Sequence, residues 1–389
     1  MKKLFSLLLG PMIFLILLSI EPPQLFNQNQ WYLLCILCWM IIWWASEAVA
    51  LAITSLIPIV LFPIFSLLTE EQVSINYSKP IIFLFMGGFF IAKAIEKCGL
   101  HHRLALHILK YSCRSLKTLF LGVMLSTAIM SMFISNTATT ILMFTIIISI
   151  IDFIEKNSST KKDKIEKIGI HLMLAVAYSA SIGGVGTLIG TPPNLFLASY
   201  LQDRHKIEIG MIEWMKYGLP FVVFMLPISW LWLTRTIDEQ ETKLITNLKK
   251  KILFDINDLG KLKKEQILVG IIFILAVILW FSKIYINNSK ILGFNLSDTT
   301  IAIGCSLLLF CIPHKIKKTT HLLTWQDALK IPWGILLLFG AGLSISAAFK
   351  TTQLDLTIAS KLTIFSNLSP MLLIIILANM FIRMIQDII

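Results

Sequence analysis

The chain has 389 residues, 56% of them hydrophobic and only 14% charged, with a formal net charge of +12. A soluble domain carries roughly a quarter charged residues, so the composition excludes a soluble globular protein and points to a polytopic helical membrane protein. The basic excess does not point to nucleic acid, because lysines and arginines gather in particular inter-helix loops, as the positive-inside rule expects.

Met1-Lys2-Lys3 and the apolar run to Ile20 imitate a signal peptide, but no Ala-x-Ala-like cleavage site follows and the run ends in Glu21-Pro22-Pro23. It reads as a first membrane helix with its lysines in the cytoplasm. Apolar runs of about 17–25 residues are long enough to span. They predict helices over 4–20, 31–49, 51–68 and 80–97, then a basic, partly amphipathic stretch from Lys97 to Lys117. Two half-length segments, 118–134 and 136–153, meet at Ser135-Asn136-Thr137. Helices over 168–189, 194–201 and 214–234 follow, and a polar linker runs from Arg235 to Lys264. The second half predicts spans over 265–283, 297–313 and 332–349, and an apolar run over 369–382. Cys35 and Cys38 form a C-x-x-C inside a membrane helix without further ligands, which reads as packing.

Two breaks stand out: Ser135-Asn136-Thr137, and Gly190-Thr191-Pro192-Pro193-Asn194. Both interrupt hydrophobic sequence. Unpaired backbone N–H and C=O groups cost several kcal/mol each in hydrocarbon, so such breaks need protein or solute to satisfy them. Paired half-helix tips of this kind build transporter binding sites. From Thr118 to Ile151 and from Ile168 to Gln202 there is no Asp, Glu, Lys or Arg. An anion bound there would meet only half-helix N-termini, hydroxyls, amides and any cation that enters with it. The breaks therefore favour cation-coupled anion transport. Each residue also has a plainer reading. Ser131 or Thr139 can bond back to a carbonyl one turn earlier. Pro192-Pro193 can be a kink, and Gly183-Gly184 close helix packing. Asn136 and Asn194 are harder to explain that way, because an Asn at membrane depth needs partners. Glu47 reads as interfacial, and His101, His102 and His107 as surface groups.

If residues 118–153 return to their own side, most lysines and arginines fall on one face, with Lys2 and Lys3. The loops thus support a re-entrant hairpin. Phe85-Met86-Gly87-Gly88 and the residues to Ala94 are weakly repeated from Phe339-Gly340-Ala341-Gly342 to Ala348. An odd number of spans in the first unit makes this an inverted repeat. At the same spacing, the partner of Ser135 falls at about residue 389, so the second repeat is expected to be incomplete.

These motifs resemble the divalent anion:sodium symporter family, the sodium:sulfate or dicarboxylate carriers. The likeness rests on Ser135-Asn136-Thr137-Ala138-Thr139, on Ser181 to Thr187 running into Gly190-Thr191-Pro192-Pro193-Asn194, and on Ser46-Glu47-Ala48, Phe85 to Gly88 and Pro332 to Gly340. It implies an all-α, inverted-repeat, elevator-type carrier in the inner (cytoplasmic) membrane, a homodimer with Na⁺ as coupling ion and no other cofactor. It implies Na⁺ ligands at Ser131 (its carbonyl), Ser135, Asn136 and Gly190 (its carbonyl), and anion contacts at Asn136, Thr137 and Thr191 with Pro192 beside them. On that pattern, 1–117 holds scaffold helices and an interfacial segment, and 118–234 half of a transport domain. Residues 235–264 form a cytoplasmic linker, 265–368 the second repeat's scaffold, and 369–389 the first arm of an incomplete second hairpin. Two other classes stay open: a truncated, non-transporting remnant or interaction subunit, and a membrane enzyme, for which no nucleophile–base pair is visible. The sequence does not choose among sulfate, succinate, malate and citrate, nor between Na⁺ and H⁺ coupling.

Overall fold

The computed structural model describes residues 2–157, 162–237, 242–289, 295–315 and 320–362. The apolar run expected at 369–382, and with it the arm at 369–389, lies outside them. Among the described residues the chain is helical apart from one short hairpin. Six helical stretches are long and apolar enough to cross a membrane. The chain is an all-α polytopic membrane protein.

The described chain packs as two units: residues 1–77 with the chain from Gly340 on, and Ser78–Phe339. The first unit begins with α1 (Lys2–Leu18) and α2 (Gln28–Ser46). Asn27 starts α2 with a reciprocal cap, its Oδ1 accepting from Gln30 N at 2.9 Å while its own N–H reaches Gln30 Oε1 at 3.0 Å. The single apolar run at 51–68 is divided into α3 (Leu51–Thr54) and α4 (Ile57–Ile64). Pro58 stands in the first turn of α4, where its missing N–H costs nothing. A further helix that hydropathy does not show, α5 (Glu70–Tyr77), closes this stretch. Leu33, Ile36, Met40, Phe62 and Leu67 are buried in the core of this unit.

The second unit runs through α6 (Pro80–Lys97), α7 (Leu100–Ser112), α8 (Leu116–Ser131), α9 (Asn136–Asn157), α10 (Lys162–Gly184), α11 (Pro192–His205) and α12 (Met211–Thr234). It continues with α13 (Thr242–Asp258), α14 (Lys264–Ser289), α15 (Asp298–Cys311), strands β1 (Pro313–Lys315) and β2 (Thr320–His321), and α16 (Trp325–Ala328). α17 (Trp333–Thr352) leads from this unit into the first, and α18 (Leu354–Leu362) follows. Within the first unit, Gln30 Nε2 donates to Thr352 O at 3.0 Å and Thr357 Oγ1 at 2.8 Å, fixing the turn between α17 and α18.

α14 shows how the pattern sorts residues. Ile267, Ile271, Ile274, Ile278 and Phe281 are exposed, while Val269, Ile272, Ala276 and Trp280 are buried. Both sets recur at helical spacing, so an apolar helix has one face for lipid and one for protein. The helix ends are explained locally. Ser115 caps α8 and Ser297 caps α15, each with a threonine three residues on.

The linker over 235–264 contains a helix, α13, whose Ile245, Leu248 and Ile252 are buried against the core built by α7 to α10. Their spacing is helical, and lysines between them hide it from a hydropathy scan. Arg103 of α7 is buried, not a surface cation; its guanidinium donates to Leu259 O at 2.9 Å and Gly260 O at 2.8 Å, just past the end of α13. His101, His102 and His107 are half-buried rather than surface groups. α9 has 22 residues, longer than a half-span, because Asp152-Phe153-Ile154-Glu155-Lys156-Asn157 continue it past the apolar run.

The loop before α16 is tied down electrostatically. Lys97 Nζ reaches Asp327 Oδ2 at 2.7 Å, and Thr324 Oγ1 reaches the same oxygen at 2.6 Å. Burial pushes the Asp327 carboxyl up, but the hydrogen bonds from Lys97 and Thr324 outweigh it and hold the group below the usual carboxylate range. A carboxyl depressed in the folded state stabilises above its unfolded pKa, and that stability is lost as pH falls through its folded pKa. Asp327→Asn is therefore expected to lower the thermal midpoint at pH 7, with the gap to wild type closing below about pH 4. A gap of the same size at acid pH would rule out this role for the pair.

Candidate functional site

The first break is a hairpin tip. α8 ends at Ser131 and α9 begins at Asn136. The chain then doubles back, so that Ser126 Oγ lies 3.9 Å from Met143 Sδ. Ser135 holds the new helix start, with its Oγ accepting from Ala138 N at 3.3 Å and its carbonyl from Thr139 N at 3.0 Å. Helix geometry leaves the N–H groups of the first turn without intrahelical partners. The Asn136 and Thr137 amides are in that turn, so the tip carries the positive end of a helix dipole.

The second break lies between α10 and α11, and several of its carbonyls have identified donors. Gly184 O and Thr187 O each accept from Asn194 Nδ2 at 2.8 Å. Val185 O accepts from Trp214 Nε1 at 2.8 Å, and Gly183 O from Gly186 N at 2.8 Å. Gly190 is different. Pro192 and Pro193 have no N–H, and the Asn194 N–H is engaged with Thr191 O at 3.2 Å. The start of α11 thus offers the Gly190 carbonyl no ordinary turn or helix donor. Thr191 is the N-cap residue of α11, yet its side chain makes no capping bond.

The two breaks meet. Ser131 Oγ is fully buried, 2.5 Å from Asn136 Oδ1 and 2.7 Å from Ala180 O of α10. A hydroxyl carries one proton, so Ser131 Oγ can serve only one of these two oxygens at a time, and the corner is rich in acceptors. Gly183 lies against the backbone of Ala128, and Gly184 against Asn136; a Cβ on Gly184 would sit 2.6 Å from Asn136 Oδ1. Glycine is needed at both positions so that α10 can touch the tip. Thr187 Oγ1, also fully buried, donates to Met132 O in the tip.

Of the residues singled out in the sequence, Ser131 and Asn136 are in direct contact. Gly184 joins them to Gly190, since it packs on Asn136 and its carbonyl lies where a Cβ of Gly190 would be. Ser135 caps the tip, while Thr137, Thr191 and Pro192 stand in or beside the first turns of α9 and α11. Asn194 is a brace: both protons of its amide go to turn carbonyls. Sequence reasoning missed Ala180, whose carbonyl matters and whose side chain carries no signal. It also passed over Thr187, whose only signal was a hydroxyl within a Gly-rich apolar run. Thr139, next to the tip, has a buried hydroxyl with no partner, so the back-bonding expected of it does not occur.

The sodium:sulfate symporter transmembrane region matches residues 1–386. Among curated proteins, the sodium-dependent dicarboxylate transporter SdcS of Staphylococcus aureus is 38% identical over 378 residues, as the proteins of strains USA300, NCTC 8325 / PS 47 and MRSA252 show. Each match covers 96% of this chain and 72% of the relative's length. Family and relatives are transporters, which decides against an enzyme and gives no support to a non-transporting remnant. The chain belongs to the sodium:sulfate symporter family.

Proposed function

We propose that this protein is a secondary active transporter that carries a divalent anion, foremost a C4-dicarboxylate, together with Na⁺ across the cytoplasmic membrane. The observation that carries the reading is the meeting of two helix breaks around Ser131, Asn136 and Ala180 in sequence free of charged side chains. The name of the 38% identical relatives supports a dicarboxylate over sulfate. In this reading the Na⁺ ligands are Ser131, Ser135, Asn136 and the Gly190 carbonyl, joined by the Ala180 carbonyl. All are hard oxygen donors of the kind that unwound membrane helices offer Na⁺. The anion is met by Asn136, Thr137, Thr191 and Pro192, at the N-termini of α9 and α11.

Charge arithmetic explains the coupling. Each helix N-terminus is worth roughly half a positive charge. Two of them leave a dianion with about one uncompensated negative charge, which is costly in a dry site. A co-bound Na⁺ supplies the balance, so anion and cation bind together. Asn136 serves both ligands, its amide oxygen toward Na⁺ and its N–H₂ toward the anion. The protein is further proposed to work as a homodimer by elevator movement, with the N-terminus cytoplasmic and the α8–α9 hairpin entering from that side. The family resemblance and the distribution of lysines and arginines support that topology.

Two outcomes follow. Asn136→Ala is expected to abolish Na⁺-driven succinate uptake in proteoliposomes while the protein still folds, because one change removes a cation ligand and an anion donor. Uptake at the wild-type rate would place the site elsewhere. On a background without native cysteines, Lys117→Cys and Lys156→Cys, at the two ends of the hairpin, should react with an impermeant thiol reagent only from the cytoplasmic side. Reaction of either from outside would end the proposed topology.

A further inference from the structure

Thr187 is not among the ligands proposed above, yet it is the side chain that binds one break to the other. Its side chain is fully buried. Its hydroxyl donates to Met132 O, the first carbonyl past α8, in the hairpin tip. Its carbonyl accepts from Asn194 Nδ2 at 2.8 Å, and the same amide nitrogen holds Gly184 O at 2.8 Å. Gly184 in turn lies against the Asn136 side chain. A closed path therefore runs from the tip through hydrogen bonds to Thr187, Asn194 and Gly184, and returns to the tip where Gly184 packs against Asn136. The ends of α8 leave carbonyls without intrahelical donors, and at this depth an unmet carbonyl is costly. Met132 O finds its donor in the other break and nowhere in its own helix. The two breaks hold each other in register through that bond.

We infer that Thr187 is a positioning residue that couples the hairpin tip to the α10–α11 turn, so that cation binding at the tip sets the geometry of the turn beside it. This rests on the proposed Na⁺ site at Ser131 and Asn136. Thr187 touches neither ion nor anion. It acts by fixing Met132 to Ser135 against Gly184 to Gly190, so that oxygens from both breaks are presented together. Without the hydroxyl, the two segments keep their own bonds but lose their mutual register, and a cation must assemble its ligands as it binds. Ligand sites gain affinity when such ordering is already in place.

The test uses the purified full chain with NaCl or choline chloride at constant ionic strength. Thermal unfolding is followed across a Na⁺ series, because a ligand that binds only the folded state raises the midpoint by mass action. Thr187→Val is expected to move the half-saturating Na⁺ concentration up by about tenfold, and Thr187→Ser to restore it. Val keeps the volume but leaves Met132 O unpaired, whereas Ser keeps the donor. A Thr187→Val protein that is less stable by the same amount with and without Na⁺, with its half-saturation unchanged, would show an ordinary structural hydrogen bond and overturn the inference. Wild-type protein that Na⁺ does not stabilise would overturn the proposed cation site, and this inference with it. Hydrogen exchange of the wild-type protein keeps the test open even if the valine variant does not fold. The tip peptide around 132–135 and the turn peptide around 185–191 should gain protection at the same Na⁺ midpoint. Protection of one alone, or at distinct midpoints, would contradict coupling.

Discussion

Backbone polar groups cannot be left unpaired at membrane depth, and most of this protein's central architecture follows from how two broken helices meet that demand. Each break exposes carbonyls that its own helices do not satisfy. Thr187 serves Met132, Asn194 serves Gly184 and Thr187, and Trp214 serves Val185. Several of these bonds cross from one break to the other or to a neighbouring helix. The two breaks satisfy part of each other's backbone where α8, α9, α10 and the start of α12 pack together. Glycines at 183 and 184 permit that approach, since a side chain at either would collide with backbone or with Asn136.

The same constraint produces the site's chemistry. Satisfying the turn carbonyls still leaves an acceptor-rich corner around Ser131, Asn136 and Ala180, and a Gly190 carbonyl that the two prolines deprive of local donors. It also leaves the Asn136 and Thr137 amides at the start of α9 without helical partners, while α11, which opens on Pro192-Pro193, contributes its dipole and the uncommitted Thr191 side chain rather than free amides. Oxygens for a cation and amides for an anion are thus generated together by one device, without a charged side chain. A site with fixed charges would bind one ion without the other. A site built from dipoles binds an ion pair best, and that is the physical root of coupling in the proposed mechanism.

Much of this was legible in the sequence, and what was not has specific causes. The exposed and buried faces of α14 follow from periodicity, and the ends of α8 and α9 from Ser-Asn-Thr within an apolar run. Those signals are local. α13 was passed over because Lys249, Lys250 and Lys251 depress its hydropathy, although Ile245, Leu248 and Ile252 lie at helical spacing. Asn194 stood out because an Asn at membrane depth needs partners; those partners are the Gly184 and Thr187 carbonyls a few residues away. Ala180 was beyond reach for a different reason. It acts through its backbone, and a carbonyl's role depends on which helix ends beside it. The division of 51–68 into α3 and α4 was similarly hidden, since both pieces are equally apolar.

In the proposed mechanism a dianion binds a charge-free site only with a cation beside it. The most direct measurement is the affinity of the purified protein for succinate, by titration calorimetry, across a series of Na⁺ concentrations with choline holding ionic strength constant. Linkage requires that if Na⁺ favours the anion, the anion favours Na⁺ to the same degree. Log affinity for succinate should rise with log Na⁺ concentration with a slope of about one or more, and succinate should tighten Na⁺ binding equally. Succinate affinity that stays the same from choline alone to saturating Na⁺ would contradict that mechanism.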